Sequence, residues 1–84
     1  MNEVLVRALA GLITSMELTN DELLPREVAA TLTEEVVAEL GELPQAEKCR
    51  LIGILDGLAG GESDPDRRAV MSELPELLGL LDGE

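Results

Sequence analysis

The chain has 84 residues, enough for one small domain over residues 1–84 and too few for two. Eighteen acids against six bases give a net charge of −12 at pH 7, which argues against nucleic acid and anionic membrane surfaces as direct ligands, because both are held by clustered Lys and Arg. With no histidine and a single cysteine, Cys49, an intrachain disulfide, a conventional zinc site and a histidine-activated nucleophile are excluded.

A chain this short buries only roughly 60–65% of the surface it exposes when unfolded. It therefore needs a dense helical core or a second copy for its stability. The apolar residues make up 45% of the sequence and include no Phe, Tyr or Trp, and 17 of them are leucine. The core must be built from Leu, Val, Ile, Met and Ala. The start of the chain, Met1 to Glu3, carries no basic cluster, and the uncharged run Ala8–Met16 is nine residues long. That is far short of the ~20 residues that span a bilayer. A cytoplasmic protein with no membrane segment is expected, and a lone cysteine agrees with a reducing compartment.

In chain order, the first predicted helix covers Asn2 to about Leu18. Leu5, Leu9, Leu12 and Met16 fall in 4-3-4 spacing on one stripe. Val6 and Ile13 widen it, as do Val4 and Ala8, so the helix is apolar over most of its circumference. Such a helix is central in a bundle or shared with a partner. Gly11 within it suggests a close helix contact. Thr19-Asn20-Asp21-Glu22 has the spacing of a capping box and predicts a short helical turn.

Pro25 stops that turn. The sequence repeats an acid, leucine and proline around Pro25, Pro44 and Pro75. Proline is well tolerated at the first position of a helix and costs ~3 kcal/mol in its interior. Pro25 and Pro44 therefore predict two helix starts. The second helix carries Val28, Leu32, Val36 and Leu40 on one face, with Leu23 and Val28 positioned for a hydrophobic staple, and Gly41 ends it. Its remaining surface is acidic, with Glu34, Glu35, Glu39 and Glu42 close together. The third helix runs from Pro44 to Gly60-Gly61 through Leu51, Ile52, Ile54, Leu55, Leu58 and Ala59. Cys49 sits beside these apolar positions and reads as a buried or half-buried small residue.

Asp64 is a strong N-cap and Pro65 a first helical residue for the fourth helix. Val70, Leu74, Leu77 and Leu81 repeat in 4-3-4 spacing, flanked by Met71 and Leu78. The register continues across Pro75, which predicts a last helix kinked or broken there with both halves facing one core. No segment alternates with period two. The fold expected is all-α: a compact bundle of four helices with short loops and no sheet.

Chemistry is sparse. Glu62, Asp64, Asp66 and Glu73 fall on the spacing of a calcium loop, but Arg67 stands where that loop requires glycine, and the segment already reads as a helix start. Gly57, Gly60 and Gly61 are not followed by the Lys and Ser or Thr of a phosphate loop, and no strand precedes them. The size and acidity suit an acyl carrier, yet the Asp-Ser-Leu stretch that bears the prosthetic arm is missing. No acid interrupts an apolar stripe, where burial would single it out for catalysis. No cofactor, metal or enzymatic activity is expected.

The excess of apolar surface points instead to a protein partner, foremost a second copy in a homodimer. The candidate contact is Leu5, Leu9, Leu12 and Met16 of the first helix with Leu77, Leu78 and Leu81 of the last. The alternative is an acidic inhibitor, such as an immunity protein, an antitoxin or a nucleic-acid mimic, that offers Glu34, Glu35, Glu39 and Glu42 to a basic protein.

Overall fold

The first free amides of the chain's first helix are met by Asn2, whose Oδ1 accepts from the N–H groups of Val4 (2.9 Å) and Leu5 (3.1 Å). In the computed structural model α1 accordingly runs Glu3–Leu18, followed by α2 (Arg26–Leu40), α3 (Gln45–Gly61) and α4 (Pro65–Leu77). The structure describes residues 1–81, and residues 82–84 of the expected domain lie outside the described residues. The fold is all-α, four helices with no strand among the described residues.

The prolines open helices, but two of them do so one position earlier than expected. Pro25 and Pro44 keep extended ψ values of 145° and 154° and act as the capping residues of α2 and α3. Their carbonyls accept the first helical bonds, from Val28 and Ala29 in one case and from Glu47 and Lys48 in the other. Only Pro65 occupies the first helical position, behind Asp64, whose carboxylate accepts from the amides of Asp66 and Arg67. In the α1–α2 connection the capping residue is Asn20 instead of Thr19. Its side chain accepts from the Glu22 amide at 2.7 Å, and its carbonyl accepts from Leu23 and Leu24. Leu23 is 81% exposed, so it makes no packed staple with Val28.

Pro75 does not break α4. The helix continues through it to Leu77 and then closes on Gly79. Gly79 adopts a φ of 72°, its amide donates to the Glu76 carbonyl, and the Leu80 amide donates to the Pro75 carbonyl. This is the double closure of a Schellman motif. It turns the chain so that Leu80 is buried in the core beside Leu78.

The core itself lies between α3, α4 and α1. α3 and α4 pack most closely, α1 lies across both, and α2 rests chiefly on α1. Leu51, Leu55 and Ala59 of α3 share one core with Met71 and Leu74 of α4, Leu78 at its C-cap, and Val6, Ala10 and Ile13 of α1. The predicted stripes are displaced from these faces. On α1 the buried line is Val6, Ala10, Ile13 and Thr14, roughly 100° around the axis from Leu5, Leu9, Leu12 and Met16. On α4 it is Met71, Leu74 and Pro75, continued by Leu78 at the C-cap, instead of the predicted line Val70, Leu74, Leu77 and Leu81. The physical reason is proximity. Helix axes approach to ~8–10 Å only where the side chains between them allow it, and Ala10, Thr14 and Pro75 are compact groups at the contact.

Two smaller expectations are also corrected. Cys49 is exposed on α3 instead of buried. A Cβ at Gly11 would meet only the Arg67 guanidinium, at 4.0 Å, so Gly11 sits under an arginine side chain and not against a helix backbone. Arg67 also pairs with Glu62 (3.7 Å) and donates to the Ser15 hydroxyl. Its neighbour Arg68 donates to the Ala59 and Gly60 carbonyls (3.2 and 2.9 Å) and so satisfies the open end of α3.

Candidate interaction surface

The displacement of the α1 core face decides what this molecule shows to solvent. With Val6, Ala10 and Ile13 turned inward, Leu5 and Leu12 are left 67% and 60% exposed, and Val4 between them and the N-terminus is exposed as well. Leu9 and Met16 are half-buried under α2. Leu12, Leu9, Ile13 and Met16 form one wall of a groove whose other wall is Leu32, Thr33 and Val36 of α2, with a volume of about 300 Å³. Leu32 is partly exposed at the groove, and Val28, one turn earlier on α2, is exposed as well. The surface is uncharged on the α1 side, because no acid or base occurs between Arg7 and Glu17.

The four α1 positions of the expected contact therefore stand together. The three α4 positions do not join them as a set. Leu77 is partly exposed and lines a second groove of about 410 Å³, on the other flank of α2, with Glu17, Ala30, Thr33, Glu34, Val37 and Ala38. Leu81 is exposed. Leu78 is 2% exposed and belongs to the core, so it is not part of any surface. Sequence reasoning assigns Val28 and Leu32 to the interior; Leu32 instead lines the groove and Val28 is exposed. They repeat at four-residue spacing like a core face, but α2 turns Ala29, Thr33 and Val37 toward its neighbours and leaves Val28 and Leu32 at the edge.

Glu34, Glu35, Glu39 and Glu42 are all exposed. Among the described residues the ion pairs are Arg50 with Glu47 and Arg67 with Glu62, so none of these four carboxylates is engaged in one. Glu34 lines the groove beside Leu77, while Glu35 and Glu39 follow each other one helical turn apart.

Two of the four acids on the calcium spacing, Glu62 and Asp64, are used structurally. Asp64 caps α4, and Glu62 accepts from the Asp64 amide while pairing with Arg67. Among the described residues no group of three or more Cys, Asp or Glu side chains is gathered to hold a metal ion. No helix among them is long and apolar enough to cross a membrane. One buried polar group stands out: the Thr14 hydroxyl, fully enclosed and without a hydrogen-bond partner. It points into the core and opens onto none of the grooves described above.

No protein-family model, no curated protein and no solved structure matches this chain.

Proposed function

We propose that the protein is a non-catalytic, cytoplasmic interaction module that associates with a second copy of itself through the apolar side of α1. One observation carries the reading: Leu5 and Leu12 each keep more than half their surface in solvent, on a helix face with no charge, beside an open apolar groove. Covering a large side chain of this kind is worth ~1.5–3 kcal/mol. Contiguous apolar surface of this sort marks interfaces. Leu9, Met16, Val28 and Leu32 would be covered with them, and Leu77 and Leu81 lie outside this patch as secondary contacts. The lone thiol Cys49 fits a reducing compartment.

The test is sedimentation of the wild type beside a Leu5→Gln/Leu12→Gln double variant. Both substitutions fall on exposed positions, so the fold and its thermal transition should survive. The wild type is expected to dimerise at tens of micromolar and the variant to remain monomeric. An unchanged dimer in the variant removes α1 as the interface.

A second reading rests on a different observation, the unpaired and exposed carboxylates Glu34, Glu35 and Glu39 of α2 and Glu42 just beyond it. They would serve an acidic inhibitor that occupies the basic site of another protein. Salt separates the two readings. Binding to a basic partner weakens as salt screens the attraction, whereas two copies of a −12 chain repel and associate better when screened.

A further inference from the structure

We propose that α2 is a detachable lid: it opens from α1 as a unit while α1, α3 and α4 remain packed, and its opening uncovers Leu9, Ile13 and Met16. The opening is a property of the single chain and needs no second copy, so it stands apart from the self-association reading.

Burial separates α2 from the rest. α1, α3 and α4 each bury three or four residues, and α2 buries none. Its inward side chains, Ala29, Thr33, Val36, Val37 and Leu40, are all only half-buried. Its principal support is α1 alone, and on either flank of the contact lies an open groove, one of about 300 Å³ and one of about 410 Å³. The radius of gyration of 12.6 Å is accordingly a little above the roughly 12 Å of a closely packed chain of this length.

The ends of α2 add little to hold it. No side chain caps its N-terminus, and no base stands in its last turn. Glu39 there faces the negative end of the helix dipole, an unfavourable placement. α2 makes no ion pair among the described residues. The connections at 19–25 and 41–44 are mostly exposed, and Leu43 is the residue of the second one that packs against the core and would hinge there. Segments with few buried contacts open at lower free energy than the global unfolding of a domain. Here that segment is also the wall of the apolar groove, and its opening changes how much of α1 is available.

Native-state hydrogen exchange at low protein concentration tests this. The α2 amides should form a class of their own, exchanging at least about tenfold faster than the slowest amides of α3 and α4 after correction for intrinsic rates. Ala30→Gly, at an exposed position in α2, should speed α2 exchange about fivefold, and the slow amides by no more than that, because global unfolding also melts α2. Gly53→Ala, in the open on α3, should slow the α3 and α4 amides and leave α2 as it was. Equal protection in α2 and α3, or a Gly53→Ala slowing that extends equally to the α2 amides, would show one cooperative unit and overturn the lid.

Discussion

The amide of Leu80 donates to the carbonyl of Pro75 at 2.9 Å, across a glycine with φ of 72°. This bond ends α4 and returns the chain to the core in one step. The left-handed conformation is open to Gly79 and unfavourable to residues with a Cβ by roughly 1 kcal/mol or more. Gly79→Ala should therefore destabilise the protein by about 1 kcal/mol, a fall in Tm of about 4–8 °C for a domain of this size. A melt followed by circular dichroism measures it, and an unchanged Tm would show that the closure contributes nothing.

Thr14 gives the opposite sign. Its hydroxyl is buried with no partner, and an unsatisfied buried hydroxyl costs about 1–3 kcal/mol. Thr14→Val keeps the shape and removes the polar atom. Urea denaturation should show a gain of about 1 kcal/mol with an unchanged m-value. A loss of stability would mean that the hydroxyl finds a partner in solution.

Gly53 and Gly57 lie in the interior of α3, and a Cβ at either meets nothing within 4 Å. Each glycine lowers helix stability by ~1 kcal/mol relative to alanine. Gly53→Ala and Gly57→Ala should each raise stability by about 0.5–1 kcal/mol in denaturant titration. Destabilisation by either would reveal a neighbour that the open surface of α3 does not show.

Arg68 joins α4 to the end of α3 through the Ala59 and Gly60 carbonyls. Its replacement by alanine leaves the Gly60 carbonyl to water and the Ala59 carbonyl with the Glu62 amide alone. A loss of about 1 kcal/mol is expected from equilibrium unfolding. Arg68→Lys should recover only part of it, because an ammonium group cannot reproduce the planar fork that meets both oxygens.

The helices and most of their limits were legible in the sequence, because the signals at their ends are local. Pro25, Pro44, Asp64 with Pro65, and Gly60-Gly61 each mark a boundary within a residue or two. Which face of each helix turns inward was not legible. α1 is apolar over most of its circumference, so periodicity offers several stripes and cannot choose among them. The choice is made by the neighbours, which approach at Ala10, Ile13 and Thr14 and leave the leucine-rich side at Leu5 and Leu12 outside. The same holds for α4, where Pro75 signalled a kink or break: the helix is not broken there, Pro75 packs into its core face, and the stop is Gly79, four residues later. The candidate surface was half visible for the same reason: the α1 positions were found, Leu78 belongs to the core, and Leu32 emerged only once α2 was placed.

Sedimentation velocity of the wild-type chain, across a wide concentration range at low and at half-molar salt, tests self-association most directly. The expected result is a monomer–dimer equilibrium that shifts toward dimer with rising concentration and with added salt, as screening removes the repulsion between two chains of charge −12. A single monomeric species at every concentration and both salt levels would contradict it.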